Sequence, residues 1–200
     1  MNRLILIALL FLVGCSASPA DLARLEARKR LEDETIIALV LDDFASRQLE
    51  SGVITTPDQN SLVLASRTNS KSGFISVDQI SAEYRNESTS VSAELIADLQ
   101  QRNQTGVALE GNHFGTRTRL EDLSRFPGKG DFDTWDGISK EHPDAKAYVM
   151  LWLPGYDSSL SRAIVRFSFG PTAHSATATY LLVKQNSLWT ILSQKQTIYL

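Results

Sequence analysis

The chain is poor in the residues from which many protein sites are built. It contains one cysteine and three histidines among 200 residues. A single cysteine excludes a disulfide within the chain and any metal site made of several cysteines. The histidines, His113, His142 and His174, are far apart in sequence, so no helical zinc motif is present. The sequence therefore predicts neither a disulfide framework nor a metal or other cofactor.

An excess of charge of one sign is also lacking. Twenty Lys and Arg residues against 23 Asp and Glu residues leave a net charge of −3. This balance lacks the basic footprint of a nucleic-acid-binding protein, so no nucleic-acid partner is expected. The length suits one domain with appendages, and 42% hydrophobic residues exclude both a disordered chain and a polytopic membrane protein.

Residues 1–14 have the pattern of a secretory signal peptide. A short basic segment, Met1-Asn2-Arg3, precedes ten consecutive apolar residues from Leu4 to Val13, and small residues follow from Gly14. Ten residues are too few to cross a bilayer core of about 30 Å, which requires about 20 helical residues. The pattern therefore favours a cleaved signal over an N-terminal core helix or a short anchor.

The single cysteine follows this signal directly. The segment Leu12-Val13-Gly14-Cys15 resembles the lipobox of bacterial lipoproteins. The resemblance implies cleavage before Cys15, a thioether-linked diacylglycerol on its sulfur, and acylation of the new amino terminus, for example with palmitate. Ser16, in place of an aspartate, favours the outer membrane of a Gram-negative envelope, with the domain facing the periplasm. Residues 15–19 would then form a short lipidated tether that holds the protein on the bilayer.

The remainder, residues 20–200, is predicted to form a single α+β domain. A long helix is expected from residue 20 to about 47, with a buried apolar stripe in its second half between Ile36 and Phe44. The charged first half, residues 20–34, is expected to be solvated, as a stalk-like extension. Two shorter helices are predicted over 91–103 and 133–141, and a strand over 61–68.

The last third carries the clearest pattern. Strands are predicted over 147–153, 162–169, 176–183 and 188–192, the second of them half-buried because apolar and polar residues alternate. Connections this short permit only antiparallel neighbours. The predicted fold is therefore a long N-terminal helix and two shorter helices packed on an antiparallel sheet that ends in a four-strand meander.

Residues 90–192 resemble a class of uncharacterised small secreted proteins and lipoproteins of bacteria. The matching features are a Trp-containing helix, a Pro-ended apolar strand, a Gly-containing hairpin and a closing strand with Trp; they include Trp135, His142-Pro143, 151–155, 170–174, 180–183 and Trp189. The resemblance implies an α+β domain and carries no activity. The sequence also resembles, more weakly, the cone-shaped domains similar to nuclear transport factor 2. The predicted strand at 61–68 does not fit the order of elements in those domains.

Motifs with a defined chemistry are scarce in this sequence. The acidic segment 131–137 misses the calcium loop of the EF-hand by one residue, and Asp131 or Asp133 more simply caps a helix. No nucleophile elbow of the form Gly-x-Ser-x-Gly and no phosphate-binding glycine loop is present. The sequence therefore indicates no catalytic residue and no metal ligand.

We expect a non-catalytic module that binds an envelope protein or a small ligand. The alternative is an envelope hydrolase or other enzyme whose site is assembled from the loops 111–130, 154–161 and 170–175. Loops on a rigid scaffold commonly carry function. Tyr156, with its ring and hydroxyl, and His174, which titrates near neutral pH, are the predicted ligand contacts, and both are expected to face one concavity.

The anchor can be tested directly. Because the thioether forms on the only thiol of the chain, Cys15→Ser is expected to abolish labelling by a radioactive or clickable fatty acid and to move the protein out of the membrane fraction. Release of the wild-type protein from membranes by high salt alone would contradict a lipid anchor.

Overall fold

The computed structural model shows a mixed β-sheet with helices on both of its faces. The structure describes residues 18–50, 62–70, 76–85, 91–109, 114–126, 131–171 and 176–198. The predicted signal peptide, Cys15 and His174 lie outside these residues.

The described elements alternate between helices and strands in the first part of the chain and are almost all strands in the last. The helices are α1 Pro19–Glu50, α2 Val77–Glu83, α3 Ala93–Arg102 and α4 Asp131–Glu141, with a 3₁₀ turn at Leu123–Arg125. The strands are β1 Leu62–Ala65, β2 Thr118–Glu121, β3 Ala147–Leu151, β4 Gly155–Tyr156, β5 Arg162–Gly170, β6 Ala176–Gln185 and β7 Leu188–Ile198.

The predicted fold class and the C-terminal meander are confirmed. Strands β3, β5, β6 and β7 pair in this order, each antiparallel to the next. The turn between β6 and β7 consists of Asn186 and Ser187, whose φ angles of 50° and 66° are both left-handed. Two consecutive left-handed residues form a turn whose twist matches that of the two strands it joins. The local sequence therefore favours the hairpin of β6 and β7.

The first strands of the sheet pair differently from the prediction. Strand β1 runs parallel to both β2 and β3, and the sheet order is β2-β1-β3-β5-β6-β7, with β4 paired to β5. Helices α2 and α3 lie between β1 and β2 in the chain, which gives the long connection that parallel strands require. Strand β2 also lies within the stretch 111–130, for which no regular structure was predicted.

Helix α1 covers one face of the sheet with its apolar stripe. Its residues Ile36, Ile37, Val40, Leu41 and Phe44 are buried among the residues of β1, β3, β5 and β6 that point to this side.

The stalk-like extension predicted for 20–34 is shorter than expected. Residues 18–24 are exposed, but Lys29 and Asp33 are buried because their charges meet partners on α3.

Helices α2, α3 and α4 lie on the opposite face. Trp152, Ile164 and Leu181 are buried there with α2 and α3, while Val63 and Tyr148 are buried with α4. Strand β5 is therefore covered on both faces, and the prediction that it is half-buried is wrong. Arg166, which suggested a solvent-facing side of this strand, is fully buried because Glu83 of α2 neutralises its charge.

Trp189 connects the last hairpin to α1. Its indole is 8% exposed, and its Nε1–H donates to Glu32 Oε2 at 2.6 Å. Lys184 Nζ lies 2.5 Å from the other oxygen of this carboxylate. Burial would raise the pKa of Glu32, but the hydrogen bonds from Lys184 and Trp189 keep it below its ordinary value. Trp189 is therefore buried, with Tyr156 and α1 among its neighbours.

Removing the indole of Trp189 measures how much its burial contributes to the stability of the fold. We expect Trp189→Ala to lower the free energy of unfolding by about 3–5 kcal/mol in denaturant titrations, the usual cost of removing a buried aromatic side chain. Leu188→Ala serves as the control, because Leu188 is 71% exposed and its loss should cost under about 0.5 kcal/mol. Equal midpoints for the two variants would place Trp189 at the surface.

Candidate functional site

A cavity of about 370 Å³ opens between α1 and the segment that follows α3. This volume lies within the range of small-molecule sites in proteins. Part of the wall is apolar and is formed by Ile37, Val107, Ala108, Leu109, Phe114 and Leu153. The rest is charged and is formed by Glu26, Arg30, Asp33, Glu34 and Arg102. The cavity is therefore amphipathic, with an apolar wall next to a charged one.

Helix α1 supplies the charged wall from a single face. Residues three, four, seven, eight and eleven positions apart on a helix lie on one side, and α1 contributes Glu26, Arg30, Asp33, Glu34 and Ile37 with this spacing. Glu34 and Arg30 are exposed at the rim, while Asp33 and Ile37 are buried. The helix thus presents charge toward solvent and an apolar surface toward the sheet.

The charged wall is held in place by an ion pair between Arg102 and Asp33. Arg102 donates two parallel hydrogen bonds, from Nη1 to Asp33 Oδ1 at 2.9 Å and from Nη2 to Asp33 Oδ2 at 2.8 Å. Nη1 also donates to the Pro154 carbonyl at 2.5 Å. The two side chains are only 5% and 10% exposed. Burial opposes the charge of Arg102, but the Asp33 carboxylate raises its pKa above the ordinary value.

Tyr156 lies behind this ion pair. Its hydroxyl donates to Asp33 Oδ1 at 2.9 Å, and the guanidinium carbon of Arg102 lies 5.4 Å from the centre of its ring. Burial, together with the Asp33 carboxylate, raises the pKa of Tyr156 far above its ordinary value, so the hydroxyl stays a neutral donor. The ring is 1% exposed. Tyr156 therefore supports the wall of the cavity through Asp33.

A second ion pair continues the network toward α3 and β4. Lys29 Nζ lies 2.6 Å from Asp98 Oδ1 and 2.8 Å from Glu26 Oε1. The other oxygen of Asp98 accepts the backbone N–H of Tyr156 at 2.8 Å. Lys29 is only 5% exposed, although its position in the basic run 28–30 suggests a solvated side chain. These contacts join α1, α3 and β4 into one rigid support.

Of the two residues predicted to contact a ligand, Tyr156 is described by the structure and His174 lies outside the described residues. Tyr156 pairs with Ala163 near the beginning of β5. Its hydroxyl donates to Asp33, and Tyr156 does not itself line the cavity. That the two residues face one concavity stays a prediction.

One of the predicted functional loops reaches the cavity and another contacts its wall. Phe114 from the loop 111–130 forms part of the apolar wall, and Pro154 from the loop 154–161 supplies the carbonyl that binds Arg102. Asp33 and Arg102 themselves were not predicted as site residues. The only local signal was the alternation of charge along α1, which is equally typical of a solvated helix.

His142 lies away from this cavity, on the α4 side of the sheet. Its Nδ1 is 2.5 Å from Arg119 Nη1, and its Nε2 is 3.2 Å from Glu121 Oε1. Within the residues that the structure describes, no group of three or more His, Cys, Asp or Glu side chains is arranged to hold a metal ion.

Comparison of the chain with protein-family models, with curated proteins and with solved structures finds no match. No relative's function can therefore be carried over to this chain. Across its described helices, none combines the length and the apolarity needed to cross a membrane.

The ion pair at the cavity can be tested by neutralising one partner. Asp33→Asn leaves the buried guanidinium of Arg102 without its carboxylate, so we expect the free energy of unfolding to fall by about 3–5 kcal/mol. Glu34→Gln is the matched control on the neighbouring residue, which is exposed and should change stability by less than about 0.5 kcal/mol. A loss for Asp33→Asn no larger than that of the control would show that the pair is not buried in solution.

Proposed function

We propose that this chain is a lipid-anchored lipoprotein of the cell envelope whose domain is a non-catalytic binding module. The anchor is attached to Cys15. If the cell is Gram-negative, the anchor lies in the outer membrane and the domain faces the periplasm. The ligand is a small amphipathic molecule that binds in the cavity beside α1. The observation that supports binding is the cavity itself, which is lined by both apolar and charged residues.

The charged wall suits recognition because it is already organised. Asp33 receives hydrogen bonds from both Arg102 and Tyr156, so its position does not depend on a ligand. A site held in its bound geometry avoids the entropic cost of ordering side chains when the ligand arrives. The organisation of this wall therefore supports binding of a ligand in the cavity.

The proposed anchor would place the cavity close to the bilayer. Cys15 precedes the first residue of α1 by four positions, and Glu26 lies two turns inside the helix. An extended tether followed by this length of helix spans at most about 25 Å. The rim of the cavity would then lie within this distance of the lipid headgroups, where amphipathic molecules accumulate.

Filling the cavity from its rim tests the proposal. Val107 is 41% exposed and lines the cavity, so Val107→Trp should occupy the space without disturbing the core. We expect a subset of small amphipathic fragments to bind the full-length protein in detergent, measured by saturation-transfer NMR. These fragments should lose their signal in Val107→Trp.

The matched control is Leu188→Trp, which adds a tryptophan at a residue that is 71% exposed and lies on the last hairpin. This variant should bind the fragments as the wild type does. Fragments that bind Val107→Trp equally well would place their binding outside the cavity and contradict the proposal. Conversion of a bound fragment into a product would favour the envelope enzyme instead.

A further inference from the structure

The cavity has few hydrogen-bond donors to offer a ligand. Arg102 already uses both of its terminal nitrogens on Asp33 and Pro154, and its Nε lies 3.5 Å from Glu26 Oε2. Three of its five N–H groups are used in this way, and an anion at the remaining N–H of Nη2 would lie beside the Asp33 carboxylate. Arg30, exposed at the rim, is the other cation of the wall.

Several backbone N–H groups of the apolar wall are also already used. Three of its N–H groups donate within the protein: Val107 to Thr68 Oγ1 at 2.8 Å, Leu109 to the Ser66 carbonyl at 2.8 Å, and Leu153 to Asn103 Oδ1 at 2.7 Å. Because these groups are satisfied, this side of the cavity offers a ligand mainly apolar contact.

Hydrogen-bond acceptors, in contrast, remain available. An ionised carboxylate has two oxygens and about four acceptor positions. Glu26 has a short contact only at Oε1, from Lys29 at 2.8 Å, while its Oε2 is 3.5 Å from the nearest nitrogen of Arg102. Glu34, exposed at the rim, makes no hydrogen bond or ion pair with any residue that the structure describes. Apart from the guanidinium of Arg30 at the rim, the unused capacity of the charged wall is therefore acceptor capacity.

The net charge of the wall also favours a ligand that donates hydrogen bonds. Three carboxylates, Glu26, Asp33 and Glu34, face two guanidinium groups, Arg30 and Arg102. Behind the wall, Lys29 and Asp98 neutralise each other at 2.6 Å. The cavity thus keeps an excess of one negative charge beside an apolar surface, where the local dielectric constant is lower than in water.

From the free acceptors and the net negative charge we propose that the cavity is selective for small organic cations. Such a cation carries a head group that donates hydrogen bonds, for example an ammonium, on an apolar body. The head group donates to Glu34 and Glu26, and the apolar body packs against Phe114 and Leu109. This inference rests on the proposed function, because it assigns the ligand class of the same cavity.

Three probes that differ only in the head group test the selectivity. 2-Phenylethylammonium, 2-phenylethanol and 3-phenylpropionate share the phenyl ring and the two-carbon chain. We expect the full-length protein in detergent to bind the ammonium at least about fivefold more tightly than the alcohol or the carboxylate, since hydrogen bonds to an ionised partner are stronger. Titration by NMR or calorimetry measures the three dissociation constants, with protein-free micelles as the blank.

Two rim variants on one face of α1 identify the residue responsible. Glu34→Gln should weaken binding of the ammonium about fivefold or more and leave the alcohol unchanged, because only the charge of the acceptor is removed. Arg30→Gln, one helical turn earlier, is the control and should leave binding of the ammonium unchanged or tighter. The preference for the ammonium should also decrease as salt screens the rim charges.

The outcomes separate this inference from the proposed function. If the carboxylate binds as tightly as the ammonium, and Val107→Trp abolishes both, the cavity is a binding site but the assignment to cations is wrong. If no probe binds the wild type up to its solubility limit, or if Val107→Trp binds the ammonium normally, cavity binding fails and the inference fails with it.

Discussion

The ion pair between Asp33 and Arg102 is the contact on which the arrangement of this protein depends. Asp33 lies in the middle of α1 and Arg102 at the last turn of α3, two helices on opposite faces of the sheet. Removing either charge from water is unfavourable unless the partner is held at hydrogen-bonding distance. The ion pair therefore joins α1 to α3 at this point, beside the cavity that both residues line.

The same helix serves two purposes because its two sides differ. Residues from Ile36 to Phe44 bury an apolar stripe against the sheet, while Glu26, Arg30 and Glu34 face the cavity and its rim. Lys29 and Asp33, between these sides, are buried through their partners on α3. A helix that is polar in its first half thus becomes part of the domain, because each buried charge has a partner.

A related arrangement occurs on the opposite face of the sheet. Arg166 of β5 is fully buried and donates from Nη1 to both oxygens of Glu83, at 3.0 and 2.8 Å. Thr179 of β6 and Thr197 of β7 donate their hydroxyls to the same carboxylate. The short helix α2 is thereby attached to three adjacent strands. A buried ion pair thus attaches α2 to the sheet, and a helix as short as α2 would be only marginally stable from local propensity alone.

The amino-acid sequence by itself determined the elements whose pattern is local. The apolar strands with short connections predicted the meander, and the stripe from Ile36 to Phe44 predicted the buried part of α1, since both depend on neighbours a few residues away. The tertiary structure alone decided the parallel pairing of β1, the burial of Lys29 and Arg166, and the cavity. Asp33 and Arg102 are 69 residues apart in the chain, and Asp33 and Tyr156 are 123 apart. A charged residue carries no local sign of a partner at such a distance, so whether it is solvated or buried is settled only when the chain has folded.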